Sequence, residues 1–305
     1  MKACIIILNY NGFADTKECI NSILENIELT KNKIVVVDNG SSKGEIELLR
    51  NLCKNEKICL IETHKNLGYA RGNNVGIQYA IVNQFDYICI LNNDTIIVED
   101  FLTPCMETLS LHHEVGFLGP AIIDYKTNKI QSTGGEIDML RGRVDLLNPG
   151  ADPKIILKGN RFVSCDYVGG ACIICRTDLI EKIGTIPENY FLFYEETEWC
   201  YKALKIGYRN LCQTDTIVIH KGSQSTNHYR GLQEYLMARN RVVFVKRNAQ
   251  NTFNFITFLV YLFLGNVKRM CMDYKRFKPY FRYYLDGLTG KVDTKYPFVI
   301  CKNDE

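Results

Sequence analysis

The sequence predicts an α/β protein whose central sheet is mostly parallel. The first observation behind this prediction is that four short apolar runs alternate with segments of helical periodicity, as strands covered on both faces do. The second is that the connections between the runs are long enough for crossovers between parallel strands. The runs are residues 3–8, 34–37, 58–62 and 87–91. Each leads into polar residues, and in open α/β sheets ligands bind at the carboxyl ends of the strands.

Length and composition describe a globular protein. The chain has 305 residues, of which 46% are apolar and 23% are charged, and this length accommodates one large domain with an appendage or two small domains. The formal net charge is +3, but residues 226–290 contain 11 Lys and Arg against 3 Asp and Glu. The C-terminal fifth is therefore a basic segment attached to a mildly acidic body.

Cysteine usage and the N-terminus favour the cytoplasm. The 13 cysteines lie mostly inside apolar runs, as reduced core thiols do. Cys172 and Cys175 form a C-x-x-C pair in an expected strand, where residues three apart point to opposite faces, so we do not expect them to bind a metal. The apolar run at residues 5–8 is too short for a signal peptide, and no stretch of about 18 apolar residues predicts a transmembrane helix.

The first two strands lead into candidate ligand-binding residues. The first runs into Asn9 and Asn11 before a helical pattern begins, and the second ends in Asp38. The first loop lacks G-x-G-x-x-G, which argues against a dinucleotide dehydrogenase. The Asp38 carboxylate would accept from a base N–H or a ribose hydroxyl; alternatively, it shapes the turn or caps the helix expected at residues 45–52.

The third strand leads into a glycine-rich helix start. Asn66, Gly68, Arg71 and Asn74 lie in this stretch, and a wall of this kind near a helix N-terminus suits an anionic ligand. The alternative is a glycine-rich turn with a solvated arginine.

The fourth strand ends in Asn92, Asn93 and Asp94. Parallel strands place Asp94 at the same edge of the sheet as Asp38. Hard oxygen ligands at a strand end suit Mg²⁺ or Mn²⁺ carrying the phosphates of a substrate. A polar turn that only closes the strand is the alternative.

The second half of the chain is less regular. A helix is expected at residues 101–111 and a strand at 115–123, whereas residues 140–158 have weak periodicity and predict an irregular loop over the sheet. The paired Gly169 and Gly170 would let a ligand approach the backbone closely, unless they mark a β-bulge.

A second polar cluster lies at residues 191–199, where Glu195, Glu196 and Glu198 stand between aromatic residues and open a helix. Three carboxylates on one helical turn do not all face one site, and acidic residues in a first turn also favour the helix dipole. A single carboxylate beside aromatic rings has the setting for a raised pKa and general base catalysis. A later strand, at residues 216–219, delivers His220 at its end.

The C-terminal segment combines an apolar block with basic and aromatic residues. Residues 253–264 are apolar nearly all round but would form a helix only about 18 Å long. A block this short, followed by interleaved basic and aromatic residues, suits a helix lying in an anionic membrane interface. Single-stranded nucleic acid is disfavoured by the apolar block. A dimer interface and a core helix remain alternatives.

Together these clusters resemble the pattern of the inverting glycosyltransferase family 2, which has the GT-A fold. The subgroup they resemble comprises bacterial rhamnosyltransferase-like members. The matching pieces follow the family's order over residues 3 to about 245. They are residues 7–12 (ILNYNG), 37–42 (VDNGSS), 66–70 (NLGYA), 72–74 (GNN), 91–94 (LNND), 169–171 (GGA), 194–199 (YEETEW), His220 with Ser225 and Thr226, and Arg239 with Asn240.

The resemblance implies a domain division and an activity. Residues 1–225 would form the GT-A domain, with a nucleotide-sugar-binding half at 1–98 and an acceptor-binding half at 99–225, and residues 226–305 would be a helical, basic and aromatic segment. The implied reaction moves a sugar from dTDP-rhamnose or a UDP-sugar to a glycan or polyprenyl-diphosphate-linked glycan in cell-surface polysaccharide synthesis. A catalytically weak nucleotide-sugar-binding or membrane scaffold protein of the same fold is the alternative.

The resemblance also implies residue roles. Asp38 would bind the nucleobase, Asp94 would be the carboxylate of a D-x-D-like motif that binds Mg²⁺ or Mn²⁺, and His220 would be a further metal ligand or a diphosphate contact. Glu196 occupies the place of a catalytic Asp and departs from it by one methylene, so Glu195 or Glu198 could take the role of base instead. Further donor-binding candidates are Asn9, Asn11, Asn66, Gly68, Arg71, Asn74, Asn92 and Asn93, and acceptor-side candidates are Gly169, Gly170, Glu195, Glu198 and Trp199.

The expected location follows from the reaction and the tail. We expect a cytoplasmic protein, peripheral on the inner face of the cell membrane, that contacts an anionic membrane surface and no nucleic acid. Homodimerisation through the tail is a further possibility.

Overall fold

The structure is a computed structural model that describes residues 1–222, 230–272 and 274–293. The first part alternates strands and helices, in agreement with the predicted crossovers. Its elements are β1 (Ala3–Asn9), α1 (Phe13–Asn26), β2 (Lys33–Asp38), α2 (Lys43–Leu52), β3 (Ile58–Glu62), α3 (Tyr69–Val82) and β4 (Tyr87–Asn92). All four predicted strands are present.

The second part contains shorter strands and helices. Its elements are β5 (Thr95–Ile96), α4 (Leu102–Leu111), β6 (Val115–Asp124), β7 (Ile130–Ser132), β8 (Gly135–Asp138), β9 (Arg143–Leu146), α5 (Pro153–Leu157), β10 (Phe162–Cys165), β11 (Cys172–Arg176), α6 (Thr177–Ile183), α7 (Glu195–Lys205) and β12 (Arg209–His220). Three C-terminal helices follow: α8 (Arg230–Asn248), α9 (Thr252–Met272) and α10 (Tyr274–Thr289).

The main sheet brings four strand ends to one edge. Its order is β10-β12-β6-β11-β4-β1-β2-β3, and β3, β2, β1 and β4 are mutually parallel. Because β11 is antiparallel to both β4 and β6, and β12 is parallel to β6, β12 runs in the same direction as β4. Asn9 lies opposite Asp38 and Leu8 lies opposite Asn92, so the predicted donor-side residues share an edge with His220, the last residue of β12.

Apolar side chains cover both faces of this sheet, as the continuous apolar runs predict. One core contains Ile5, Ile20 and Cys172, and the other contains Ile6, Ile77 and Cys175. The two cysteines of the C-x-x-C pair therefore point to opposite faces, which confirms that they form no common metal site. The cysteines of the described residues are free thiols, and most of them are buried.

The prediction of an irregular loop at residues 140–158 is wrong. Strands β8 and β9 form a hairpin, and a short helix begins at Pro153, where the Asp152 side chain caps the backbone N–H of Lys154. The side chains of β9 are mostly exposed, and its alternation of polar and apolar residues extends over only four positions, the shortest run that indicates a strand. Gly169 and Gly170 lie in the connection between β10 and β11 and mark no bulge in a strand.

The apolar C-terminal helix is longer than predicted. Helix α9 has 21 residues and is about 31 Å long at the usual rise per residue, because Asn266 and Lys268 interrupt the apolar run without ending the helix. Within the described part of the chain it is the one helix whose length and composition would allow it to cross a membrane. The argument that no such helix exists is therefore wrong.

The C-terminal helices pack against the loop that precedes α7. Tyr190 and Tyr194 of that loop share an apolar cluster with Tyr235 and Phe244 of α8 and Phe258 of α9. Ser225 and Thr226, which belong to the family pattern, lie outside the described residues, as does the expected domain boundary at 225.

Candidate active site

The ends of β1 and β2 are joined by buried hydrogen bonds. The Asn9 side-chain amide donates to Asp38 Oδ1 at 3.2 Å and to Ser41 Oγ at 3.1 Å. Its own carbonyl oxygen accepts from the Thr16 hydroxyl at 2.7 Å. Asn9 and Asp38 are both fully buried, so this pair fixes the loop after β2 relative to the loop after β1.

The Asp38 carboxylate is also bonded to its own turn. Its Oδ2 accepts from the backbone N–H groups of Gly40 and Ser41 at 3.2 and 3.1 Å. These bonds support the turn-shaping interpretation of Asp38. The nucleobase contact stays a prediction, and it requires the turn to share this carboxylate with a ligand.

The loop after β3 is tied to the loop before α7. Asn66 Oδ1 accepts from the backbone N–H of Gly68 at 2.9 Å. Gly68 has φ +82°, and a Cβ there would lie 2.7 Å from the carbonyl oxygen of Phe191, so glycine is required at this position. Tyr69 N–H donates to the same carbonyl at 3.0 Å. The predicted donor loop therefore contacts the loop that leads to the candidate base.

The remaining donor-side asparagines join neighbouring loops. Asn11, with φ +50°, accepts from the backbone N–H of Ser42 at 2.9 Å. Asn93 donates to the Thr16 hydroxyl at 3.0 Å, and Asn92 Oδ1 accepts from the Tyr69 hydroxyl at 3.3 Å.

Asp94 and His220 meet at the strand ends. Strand β5 pairs with the end of β12, which places Thr95 opposite His220, and His220 Nε2 lies 3.2 Å from Asp94 Oδ1. His220 Nδ1 lies 2.9 Å from Gln131 Oε1. Because an amide oxygen only accepts, Nδ1 donates to Gln131, and in the neutral imidazole Nε2 then presents its lone pair toward the carboxylate. Nε2 is buried and makes no hydrogen bond.

This geometry fits a divalent cation. Two acceptor atoms that face each other without a hydrogen bond need a positive charge or a proton between them. Mg²⁺ and Mn²⁺ bind ligands at about 2.1 Å in octahedral geometry, so adjacent ligands lie about 3 Å apart. No cluster of three or more His, Cys, Asp or Glu that would hold a metal occurs among the described residues. A cation held by Asp94 and His220 alone would have further octahedral coordination positions open for the phosphates of a substrate.

Glu196 lies against the Gly169–Gly170 loop. A Cβ on Gly170 would lie 2.8 Å from Glu196 Oε1 and 2.9 Å from the Tyr167 hydroxyl, so the space that this glycine leaves is used by the chain's own side chains. The Tyr69 hydroxyl, which donates to Asn92 Oδ1, lies beside the Glu196 carboxylate. Burial raises the pKa of Glu196 to about 7, against the lowering effect of its own backbone N–H and of the nearby Tyr69 hydroxyl.

The other two glutamates have different surroundings. Glu195 is buried, and its Oε2 has no hydrogen-bond partner. Burial and the charge of Glu196 raise the pKa of Glu195 well above its usual range. Glu198 accepts three hydrogen bonds from Arg247 and one from the Tyr190 hydroxyl. The geometry therefore favours Glu196 among the three as the carboxylate that exchanges a proton near neutral pH.

Several predicted site residues have structural roles instead. Trp199 is fully buried, packs on Phe117 and donates to the carbonyl of Gly184, so the predicted acceptor contact is wrong. The predicted acceptor contact of Glu198 is also wrong, because its side chain is only 2% exposed and forms an ion pair with Arg247.

Two predicted donor contacts on α3 are engaged elsewhere. Asn74 hydrogen-bonds to the backbone of Ile186 and to Glu188, and Arg71 forms an ion pair with Glu188 at 3.0 Å. Both side chains hold the segment before α7 and are not at the strand ends. Gly169 lies beside Ser132, with 3.1 Å between an added Cβ and the hydroxyl oxygen, and no side chain of the acceptor-side set contacts it.

Three residues of the site, Tyr69, Tyr167 and Gln131, were not predicted from the sequence. Tyr69 is part of the NLGYA motif, yet nothing local indicates that its hydroxyl lies between Asn92 and Glu196. Gln131 lies on β7, shortly before a glycine pair, and its contact with His220 depends on the pairing of β7, β6 and β12. The only sign of these three residues in the sequence is that each lies close to a polar or glycine motif.

The sheet order and this edge define an α/β fold of the GT-A class. The chain superposes on GalNAc-T7 solved with UDP, GalNAc and Mn²⁺ (TM-score 0.64, 17% identity, 80% of this chain) and spans about half of that structure, 48%. It superposes on Staphylococcus aureus TarS 1–349 (TM-score 0.60, 16% identity, 95% of this chain and 81% of that one). It also superposes on mannosyltransferase PcManGT from Pyrobaculum calidifontis with GDP-Man and Mn²⁺ (TM-score 0.59, 14% identity, 94% and 84%).

Sequence comparison identifies the family. Residues 4–184, more than half of the chain, match the profile of Glycosyl transferase family 2, and the protein belongs to this family of glycosyltransferases, which places it in glycan synthesis. One relative is the low-salt glycan biosynthesis hexosyltransferase Agl10 of Haloferax volcanii, 29% identical over 78% of this chain and 73% of the relative. Another is the dTDP-rhamnosyl transferase RfbF of Shigella flexneri, 23% identical over 80% and 79%.

Proposed function

We propose that the protein transfers a sugar from a nucleoside diphosphate sugar to a hydroxyl of a glycan or lipid-linked glycan, with inversion at the anomeric carbon. The observation that carries the proposal is the Asp94–His220 pair, whose facing acceptor atoms lie 3.2 Å apart without a hydrogen bond. Glu196 supplies a carboxylate with a pKa of about 7, which is matched to general base catalysis at neutral pH.

The relatives support the choice of donor and metal. RfbF is named as a dTDP-rhamnosyl transferase, so dTDP-rhamnose is the first donor to test. The fold relatives were solved with UDP or GDP-Man and with Mn²⁺. We assign Mg²⁺ or Mn²⁺ to the Asp94–His220 pair and the donor phosphates to the edge formed by Asn92 and Asn93.

The reaction is a single in-line displacement. The acceptor oxygen forms a bond to the anomeric carbon as the bond from that carbon to the diphosphate oxygen breaks. Glu196 takes the proton of the acceptor hydroxyl, and the nucleoside diphosphate leaves with the bonding electron pair. A divalent cation at Asp94 and His220 would neutralise the charge that develops on this leaving group.

The chain's own residues hold the reactants. The bonds of Asn9 and Asp38 keep the loops after β1 and β2 together on the nucleoside side. Gly170 leaves the space in which the Glu196 carboxylate lies, and the Tyr69 hydroxyl lies beside that carboxylate. We retain residues 1–98 as the donor-binding half and 99–225 as the acceptor-binding half.

The same proposal assigns α9 to a membrane surface. Its exposed apolar residues recur at helical spacing, opposite the buried Phe258 and Leu262. They are Phe253, Ile256, Val260, Phe263 and Leu264. A helix that packs one face on its own protein and presents an apolar face outward is suited to the membrane interface. The exposed Lys268 and Lys278 would each add about 1 kcal/mol of attraction to an anionic leaflet.

The membrane assignment has a matched test. Sedimentation with anionic liposomes is expected for the intact protein at low salt, with partial release at high salt because salt screens the charge attraction. Phe263→Glu should weaken this binding, whereas Val82→Glu, at a position that is 76% exposed on α3, should not. Failure to bind liposomes, together with dimerisation that Phe263→Glu abolishes, would make this face a protein interface.

The proposed activity is tested by a donor screen. The protein is incubated with dTDP-rhamnose, UDP-hexoses and GDP-mannose, with Mg²⁺, with Mn²⁺ or with EDTA, and release of nucleoside diphosphate is measured with and without glycan acceptors. Metal-dependent release from one donor is expected. Donor binding without release or transfer under any condition would favour a catalytically weak nucleotide-sugar-binding protein.

A further inference from the structure

The turn that presents Glu195 and Glu196 has an unfavourable backbone conformation. Phe193 and Tyr194, directly before α7, have φ values of +71° and +75°. Bulky residues without a glycine's freedom rarely adopt this left-handed region, and two in succession are rarer still. Such a turn persists only where surrounding contacts hold it in place.

Asn240 of α8 supplies contacts of this kind. Its side-chain amide donates to the carbonyl oxygens of Leu192 at 2.8 Å and Phe193 at 2.9 Å, and Asn240 is fully buried. These are the two carbonyls that precede Tyr194 and the start of α7. A single side chain, 44 residues beyond Glu196 in the sequence, therefore fixes the direction of the turn.

Arg239 orients this amide and connects it to the residues that directly follow α10. Arg239 Nη1 donates to Asn240 Oδ1 at 2.7 Å and to the carbonyl of Asn189 at 2.9 Å. Its Nε and Nη2 donate to the carbonyls of Lys291 and Gly290 at 2.9 and 3.0 Å. Because Oδ1 of Asn240 accepts a hydrogen bond from the Arg239 guanidinium, the NH₂ group of Asn240 faces the turn.

We infer that Asn240, oriented by Arg239, is a positioning residue that sets the place of Glu196 for proton transfer, so that the C-terminal helices are part of the catalytic apparatus. The inference rests on the proposed role of Glu196 as the base. Neither side chain contacts the strand ends where the donor is proposed to bind. Loss of Asn240 should therefore affect catalysis and leave donor binding unchanged.

The test variant is Asn240→Asp. This substitution keeps the size of the side chain and the oxygen that faces Arg239. It replaces the NH₂ group with an oxygen that repels the carbonyl oxygens of Leu192 and Phe193. The matched control is Asn248→Asp on the same helix, where the buried amide donates only to the carbonyl of Phe244 at 3.0 Å. Circular dichroism melts establish that both variants are folded, and Asn240→Ser replaces Asn240→Asp if the latter is unfolded.

The expected result is a split between kcat and donor affinity. A displacement of a catalytic group by about 1 Å costs about 10²-fold in rate, so Asn240→Asp should lower kcat by up to this factor. Its KM for the donor and its calorimetric affinity for nucleoside diphosphate with Mn²⁺ should match those of Asn248→Asp. The midpoint of its pH–rate profile should move to lower pH because a displaced carboxylate is less buried.

Two outcomes separate this inference from the proposal beneath it. Equal kcat and equal pH midpoints for Asn240→Asp and Asn248→Asp, with Glu196→Gln inactive, would overturn the inference and leave the proposed base in place. Full activity of Glu196→Gln would instead overturn the proposed role of Glu196 as the base, on which the inference rests.

Discussion

The donor edge of the sheet and the turn before α7 are built in different ways. At the donor edge, Asn9, Asp38 and Asn92 end strands that pair in register, so each lies where its own strand places it. The turn at Phe193 and Tyr194 has a backbone that its own residues disfavour and is held by α8. The proposed donor binding therefore depends on the sheet, whereas placement of the proposed base depends on the C-terminal helices.

The largest expected effect falls on the donor edge. Asp94→Asn removes the carboxylate that faces His220 and should reduce metal-dependent transfer by about 10³-fold, since metal neutralisation of a leaving group contributes several kcal/mol. The fold should be retained, as checked by circular dichroism. Glu62→Gln is the control, because Glu62 also ends a parallel strand but pairs with Arg50. An Asp94→Asn protein as active as Glu62→Gln would remove Asp94 from the mechanism.

The next effect falls on the turn. Glu196→Gln keeps the size of the side chain and should preserve donor and metal binding while lowering transfer by about 10²-fold or more, the usual contribution of a general base. Glu195→Gln should have a small effect because the amide keeps the size of this buried side chain, whose Oε2 has no hydrogen-bond partner. Glu198→Gln should lower stability through Arg247 rather than the chemical step. An active Glu196→Gln beside an inactive Glu195→Gln would move the base by one residue.

The smallest expected effect concerns the nucleobase. Asp38→Ala should weaken nucleoside diphosphate binding by about 1–3 kcal/mol, the cost of leaving a buried donor unpaired. Inorganic pyrophosphate, which has no base, should bind equally to both proteins if Asp38 contacts the base. Equal weakening of both ligands in calorimetry would assign Asp38 to the turn alone, through its bonds to Gly40 and Ser41.

The sequence predicted the donor edge because its signals are local. Apolar runs of strand length end directly in Asn9, Asp38 and Asn92, and parallel pairing brings such ends together without further information. The position of His220 followed from the same rule, since β12 also ends at this edge.

The other half of the site depends on contacts between distant segments. Glu198 and Trp199 stand in the same motif as Glu196, and only the packing of α7 shows that one pairs with Arg247 and the other enters the core. Tyr69 reaches Glu196 across more than a hundred residues of sequence. Neither periodicity nor helix propensity indicates which of the three neighbouring carboxylates lies beside Gly170.

The pH dependence of kcat tests the assignment of Glu196 most directly. A general base must be ionised to accept a proton, and burial raises the pKa of Glu196 from its usual value near 4.5 to about 7. With saturating donor, acceptor and Mn²⁺, kcat should therefore rise about tenfold per pH unit below a midpoint near 7 and level off above it. Glu196→Gln should lose this rise. A kcat that does not change between about pH 5.5 and 8.5, or an unchanged rise in Glu196→Gln, would contradict the assignment.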